Sequence, residues 1–127
     1  MKPLIEFHID DPTFDVGETH TAHVVLRNPT TTILTYDIHM YLEGGGKHLD
    51  LSPSTRRVQL GPGASSGNQD FTLSTPADAA PVGGQQDYIA YITIVEATSQ
   101  KSWQFAADEK VTIRAPVGVD IVSVTWD

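Results

Sequence analysis

One apolar run limits the possible folds of this chain more than any other segment. Residues 85–97 are dominated by β-branched and aromatic side chains, with Pro81 and two glycines before them and Thr98 and Ser99 after them. A run of this length and composition, bounded by turn residues, is typical of a β-strand that is apolar on both faces. The sequence therefore predicts a central strand at 85–97, with the other strands arranged around it.

Shorter alternating segments recur along the rest of the chain, separated by clusters of Gly, Pro, Asn and Asp, and helical periodicity is absent. This pattern predicts strands joined by turns. The predicted strands are 4–9, with 13–16 as its short continuation, then 19–27, 33–42, 55–60, 68–75, 102–106 and 110–114. The last two are predicted to pair on either side of a bulge or turn at 107–109.

The connections complete the predicted architecture. Residues 28–30 (NPT) predict a turn, because proline presets φ and asparagine bonds its own backbone. Residues 44–46 (GGG) predict a flexible loop that continues through Pro53. The predicted fold is all-β, an immunoglobulin-like antiparallel β-sandwich of seven to eight strands with Greek-key topology. Residues 1–115 form this domain, and 116–127 form either an extra edge strand or the start of a following module.

Composition excludes several classes of function. The 127 residues contain no cysteine, which excludes disulfides and thiolate metal sites. Sixteen acidic against eight basic residues give a net charge of −8, so we expect no nucleic-acid partner. No apolar stretch approaches the about 20 residues that a membrane span needs. No signal peptide follows Met1, so the protein is either cytoplasmic or its sequence begins after a removed signal.

Candidate catalytic and metal-binding residues are few. The sequence contains neither a nucleophile elbow nor a phosphate-binding loop, so we expect no enzymatic activity and no cofactor. Asp10, Asp11 and Asp15 are the densest carboxylates near a turn, and they are the candidates for a calcium site because Ca²⁺ prefers several hard oxygen ligands. The alternative is that all three are solvated turn residues.

The outer face of the central strand is the candidate binding surface. If the even-numbered residues of 88–94 fill the core, then Ile89 and Tyr91 point outward, and His39 and Tyr41 of the neighbouring strand share that face. An apolar, aromatic outer face is typical of a surface that packs a partner subunit or stacks on a sugar. The alternative is that the segments 43–54, 74–84 or 117–126 cover it.

The order of these signals resembles a known family. Residues 14–19 (FDVGET), 24–29 (VVLRNP), 58–65 (VQLGPGAS) and 71–73 (FTL) are similar to the opening, turn and strand signals of the cell-adhesion-related domains of bacteria and archaea (CARDB-like). The sequence departs from that pattern at 86–88 (QDY), where a Gly-x-Tyr motif is common. The resemblance implies an immunoglobulin-like module with an extracellular adhesive or spacer role, often in tandem repeats.

Three functions remain open at this stage. The first is a non-enzymatic adhesive or spacer module of a larger, surface-exposed prokaryotic protein, in contact with a protein partner or with neighbouring repeats of its own chain. The second is a carbohydrate-binding or enzyme-accessory domain that uses the Tyr41 and Tyr91 face. The third is a small cytoplasmic subunit that forms a homodimer through the same face.

Overall fold

The computed structural model of the chain describes residues 4–9, 13–115 and 125–126. Within these residues the chain forms nine β-strands and no helix, so none of them forms a helix long and apolar enough to cross a membrane. The strands are β1 (Leu4–Ile9), β2 (Thr13–Asp15), β3 (Thr19–Arg27), β4 (Leu34–Gly44), β5 (Lys47–Asp50), β6 (Arg56–Leu60), β7 (Gln69–Ser74), β8 (Gln85–Glu96) and β9 (Ser102–Arg114).

The strands form two sheets. One has the order β1-β3-β7, and the other has the order β2-β9-β8-β4-β5, with β6 also paired to β4. The chain passes from one sheet to the other five times, between β1 and β2, β2 and β3, β3 and β4, β6 and β7, and β7 and β8, as in a Greek-key sandwich. The predicted all-β, immunoglobulin-like fold is confirmed, and β8 is a central strand with β4 and β9 on its two sides.

Alternation of buried and exposed residues holds the two sheets together. The side chains of Val24, Ile38, Ile92 and Ile94 are fully or almost fully buried, and their sequence neighbours point away from the core. Burial of each such large apolar side chain contributes roughly 1.5–3 kcal/mol. The predicted burial of the even-numbered residues of 88–94 is therefore confirmed, and β3 and β4 alternate in the same way.

The predicted flexible loop at 44–53 is wrong in its first half. Gly45 and Gly46 have φ angles of 56° and 78° and form a two-residue turn, after which β5 pairs antiparallel with β4. A two-residue hairpin turn with positive φ at both central residues is favoured because it matches the twist of the strands, and glycine adopts it without strain. This hairpin adds a strand to the sheet and raises the number of strands above the predicted seven to eight.

The predicted pairing of 102–106 with 110–114 is also wrong. Both segments belong to β9, and both pair antiparallel with β8. Ile89 pairs with Lys110 and Tyr91 with Ala106, so residues 107–109 lie opposite Ala90 alone. The predicted irregularity at 107–109 is thus a β-bulge within one strand, where extra residues interrupt the ladder.

The predicted continuation of the first strand into 13–16 changes sheets. β1 pairs antiparallel with β3, whereas β2 pairs parallel with β9 in the six-stranded sheet. This parallel pair is the exception to the predicted antiparallel architecture. The sequence between the two strands includes Pro12, which cannot donate to a ladder.

Candidate functional site

The candidate binding residues lie on the solvent-facing side of the six-stranded sheet, which we call the outer face. Side chains of β4 and β8 that point away from the core meet there as cross-strand neighbours. The pairs are His39 with Thr93, Tyr41 with Tyr91, and Glu43 with Ile89. Direct cross-strand neighbours have Cβ atoms about 4.5–5.5 Å apart and therefore interact. Tyr41, Ile89 and Tyr91 thus form one surface, as predicted from the alternation.

Three rings are stacked across this face. The ring centroids of Tyr41 and Tyr91 are 5.4 Å apart with an interplanar angle of 20°, and those of Tyr41 and His48 are 4.8 Å apart at 21°. Because β4 lies between β8 and β5, Tyr91 and His48 cover opposite faces of the Tyr41 ring. The side-chain amide of Gln104 donates a hydrogen bond to the Tyr41 hydroxyl. Tyr41 is therefore held by three neighbouring side chains, and Ile89 beside it is 39% exposed.

His48 carries positive charge more readily than an ordinary histidine. Its Nδ1 lies 3.0 Å from Oε1 of Glu43, and its Nε2 lies 2.7 Å from Oδ1 of Asp50. These two hydrogen bonds, the one to Glu43 first, raise the pKa of the His48 imidazole because they favour its charged form. The outer face therefore combines an apolar, aromatic centre with a charged cluster at the β4–β5 edge.

The same cluster is poorly arranged for a metal ion. The two carboxylates contact opposite nitrogens of the His48 ring, so their oxygens do not converge on one point. Across the part of the chain that the structure describes, no group of three or more His, Asp or Glu side chains is placed to hold a metal ion. The geometry of this cluster supports an ion-pair network on the surface.

His39 shares the outer face but makes contacts of its own. Its Nδ1 lies 2.7 Å from the carbonyl oxygen of Ser54 and 3.2 Å from the hydroxyl of Thr55. These contacts attach the ring to the segment before β6, and the aromatic stack lies on the next cross-strand pair of β4 and β8. Of the four predicted binding residues, Tyr41 and Tyr91 thus belong to the stack, Ile89 lies beside it, and His39 makes separate contacts.

The predicted calcium candidates are only partly within the described chain. The carboxylate of Asp15 lies 3.0 Å from Nε of Arg114, so it already has a cationic partner. Asp10 and Asp11 lie outside the described residues. The calcium site stays a prediction. One carboxylate oxygen of Asp15 is already paired with Arg114, so Asp15 does not offer both of its oxygens to a Ca²⁺ ion.

The sequence-based prediction of the outer face does not include His48 or Gln104, which both contact Tyr41. The predicted flexible loop contains His48, although residues 48–51 (HLDL) alternate polar and apolar side chains as a strand does. Gln104 was not recognised, because a single glutamine carries no pattern that indicates its partner. The alternation after the glycines is therefore the one sequence signal that could have placed His48 on a strand.

The interior between the sheets is apolar. A small cavity there is lined mainly by Phe14, Met40, Leu51, Leu73 and Val111. The His20 ring stacks on Phe14 at its edge, with centroids 3.8 Å apart. Among the described residues, every buried side-chain nitrogen or oxygen has a hydrogen-bond partner. These observations describe an ordinary packed core, in which buried polar atoms are hydrogen-bonded because an unpaired one would cost free energy.

Comparison with known proteins identifies the fold. No family model and no curated protein sequence matches the chain. Several solved structures do match. The periplasmic chaperone SfaE has a TM-score of 0.55 at 12% identity, over 92% of this chain and 59% of the chaperone, so the chain spans about three fifths of that protein.

Two further structures are similar over most of this chain. A CARDB domain from Pyrococcus furiosus, solved in complex with di-metal ions, has a TM-score of 0.54 at 16% identity, covering 88% of this chain and 89% of its own. The sporulation control protein Spo0M from Bacillus subtilis has a TM-score of 0.59 at 11% identity, covering 89% and 49% respectively. The resemblance to CARDB-like, immunoglobulin-like modules is confirmed at the level of the fold.

Proposed function

We propose that this immunoglobulin-like domain is a non-catalytic module that acts as an adhesive or spacer domain of a larger, surface-exposed prokaryotic protein. The observation that carries the proposal is the combination of a closed, apolar core with a rigid outer face. The core is filled by apolar side chains, whereas the outer face offers an exposed isoleucine beside a stacked aromatic cluster. Such a surface is typical of a contact site for another protein.

The domain organisation proposed from the sequence fits this role. Residues 1–115 form the sandwich, and 116–127 form either an added edge strand or the beginning of the next module. Most of the latter segment lies outside the described residues. Similarity in fold to a CARDB domain and to a periplasmic chaperone supports a location outside the cytoplasm and a protein partner.

Surface location is tested by labelling cells of the organism that encodes the chain. An antibody raised against the folded domain should label intact cells, and the control is the same antibody on lysed cells. Labelling that appears only after lysis would contradict the surface role and favour the cytoplasmic alternative. Light scattering of the purified chain then decides whether that alternative involves a homodimer.

The adhesive role is tested by point variants of the outer face. A fluorescent tetramer of the purified chain should bind to intact cells of the same organism, and Ile89→Lys should abolish binding because it places a charge at the apolar centre. The matched control is Thr21→Lys, which places the same charge on the outward side of β3 in the other sheet. Equal binding of both variants would show that the outer face is not the contact surface.

A carbohydrate-binding role is the second candidate, and one observation favours it. Tyr41 has both ring faces covered, but among the described residues Tyr91 is stacked on only its β4 side and has the small side chain of Ala106 as its neighbour on β9. An aromatic ring with a free face is the group on which sugars stack. Tyr91 is therefore the residue through which this chain would hold a saccharide.

A glycan array separates the two candidates. Under the carbohydrate hypothesis, Tyr91→Ala should abolish binding to the retained glycan, while Tyr91→Phe should keep it because the ring is preserved. No binding to any glycan at millimolar concentration would exclude this role and leave the protein-contact role in place.

A further inference from the structure

We propose that the outer face binds the outer face of a second copy of this chain, so that the adhesive contact is homophilic. The inference rests on the proposed adhesive function and names the partner of its contact surface. It depends on two cross-strand rows of β4, β8 and β9, because each row carries complementary groups on the two sides of β8. A surface that is complementary to itself is the condition for a two-fold symmetric interface.

The first row carries opposite charges on the two sides of an apolar residue. Ile89 pairs with Glu43 of β4 on one side and with Lys110 of β9 on the other. Ile89 is 39% exposed, the Glu43 side chain is 53% exposed, and Lys110 is exposed as well. On β5, His48 contacts both Glu43 and Asp50. The β5 side of the row is therefore net negative whether or not His48 carries a proton.

The second row carries a large side chain on one side and a small one on the other. Tyr91 pairs with Tyr41 of β4 and with Ala106 of β9. The Tyr41 ring is held in place by its stacked neighbours, and Ala106 is exposed. The β4 side of this row therefore presents a fixed ring, and the β9 side leaves room for one above the methyl group of Ala106.

One symmetry axis matches both rows. A two-fold axis that runs along β8, between two facing sheets, places β4 of each copy over β9 of the other. Glu43 then faces the partner's Lys110, and Tyr41 faces the partner's Ala106. Ile89 faces its own counterpart, which buries the exposed apolar centre of the face. Sheets packed face to face lie about 10 Å apart, which a lysine and a glutamate side chain can bridge. An axis across the strands would instead bring two acidic β5 edges together, so the charges select the axis along β8.

Asp87 limits the strength of a single contact. It lies on β8 two residues before Ile89, so the axis along β8 places it opposite the partner's Asp87 at the rim of the interface. Like charges that face each other oppose association, so we expect two isolated copies to bind weakly. Many copies on two opposed cell surfaces would compensate, because linked contacts reinforce one another. Asp87→Asn should therefore strengthen self-association several-fold, and a weaker association in this variant would contradict the axis along β8.

Charge reversal tests the facing pair. Analytical ultracentrifugation of the full chain at increasing concentration measures self-association. We expect Glu43→Lys and Lys110→Glu each to weaken it at least about tenfold, because each variant alone places like charges at both symmetric contacts. Lys101→Glu makes the same change of charge between β8 and β9 and is the control, which should associate like the parent. A parent chain that stays monomeric up to millimolar concentration, or a Lys110→Glu variant that associates like the parent, would overturn the proposal.

Mixing the two reversed variants tests the geometry. Glu43→Lys and Lys110→Glu present opposite charges to each other at both facing positions. An equimolar mixture should therefore associate as strongly as the parent, although neither variant does so alone. Recovery in the mixture would also show that both variants are folded. A mixture that stays as weak as its two components would exclude this arrangement of the faces.

Bead aggregation separates this inference from the adhesive function on which it rests. Beads coated with the parent chain should form clumps with one another, and beads coated with Lys110→Glu should not. Clumps should return when Lys110→Glu beads are mixed with Glu43→Lys beads. Parent beads that bind intact cells but do not clump would show that the outer face has a partner of another kind, which overturns the homophilic contact and leaves the adhesive function in place. Beads that bind neither cells nor each other would overturn both.

Discussion

The side-chain amide of Asn28 donates a hydrogen bond of 2.9 Å to the carbonyl of Leu60, the last residue of β6. The same nitrogen donates to the Thr32 carbonyl at 2.7 Å, and Oδ1 accepts from the N–H of Thr30 at 2.9 Å. Asn28 is completely buried, so each of these bonds replaces one to water. One side chain thus joins the β3–β4 connection to the end of another strand.

We expect Asn28→Ala to destabilise the domain by about 2–4 kcal/mol, because the buried Leu60 carbonyl and two partly buried backbone groups each lose a hydrogen bond. Urea denaturation followed by tryptophan fluorescence measures the change. Asn68→Ala is the control, since Asn68 is exposed and its loss should have little effect. Similar midpoints for the two variants would mean that the Asn28 network contributes nothing to stability.

The alternation of β8 is tested by two alanine substitutions on opposite faces of one strand. Ile92 is 1% exposed and Ile89 is 39% exposed. Ile92→Ala should cost about 2–5 kcal/mol through lost burial and the cavity that remains, and Ile89→Ala should cost less than about 1 kcal/mol. Both values come from the same urea experiment. A larger loss of stability in Ile89→Ala than in Ile92→Ala would mean that the Ile89 side of β8 faces the core, which would contradict the structure.

The histidine of the outer face predicts a pH dependence. Contacts with Glu43 and Asp50 raise the pKa of His48 above its usual value of 6.5 in the folded protein. Because the folded pKa is the higher one, the stabilisation is complete below pH 6.5 and is lost as the pH rises through the folded pKa. Its size is at most about 1 kcal/mol, since the His48 side chain is 48% exposed and solvent screens the pairs.

NMR titration of the His48 ring protons measures this pKa directly. Glu43→Gln should lower it, because the first of the two carboxylates is removed. Asp70→Asn, which removes a carboxylate beside His23 on the other sheet, should leave it unchanged. A pKa of His48 at or below its usual value in the unsubstituted protein would contradict the contacts described here.

Gly44 at the end of β4 marks a close approach to β8. A Cβ atom added there would lie 2.0 Å from the Asp87 carbonyl oxygen, so the backbone would have to move. We expect Gly44→Ala to lower stability by about 1–3 kcal/mol. Gly61→Ala is the control, because no atom lies within 4 Å of the added Cβ and the substitution reduces only the freedom of the unfolded chain. A thermal shift assay in which both variants melt like the parent would exclude the close approach.

Local pattern was enough to predict most of the fold. β3, β4 and β8 follow from period-two alternation, because the side that is apolar in the sequence is the side that is buried. The sheet change between β1 and β2 could not be predicted in this way. It depends on contacts such as the one between Asp15 and Arg114, which are 99 residues apart in the sequence.

The candidate site was predictable to the same extent. The alternation of side-chain direction along each strand predicted that Tyr41 and Tyr91 share one face, and in the structure the two residues are direct cross-strand partners. The contribution of His48 depended on recognising that Gly45 and Gly46 form a tight turn instead of a flexible loop. Positive φ at both glycines is a property of the folded backbone, and three consecutive glycines are equally compatible with either conformation.

The bulge in β9 has a consequence for how this strand tolerates changes in length. Three residues, 107–109, stand opposite Ala90, which is two more than a regular ladder holds. Since two is an even number, Trp103 and Phe105 before the bulge and Val111 and Ile113 after it all turn toward the same side. Deletion of two residues of the bulge would therefore preserve the alternation of inward and outward side chains along β9. Deletion of one residue would instead expose Val111 and Ile113 to solvent and bury their polar neighbours.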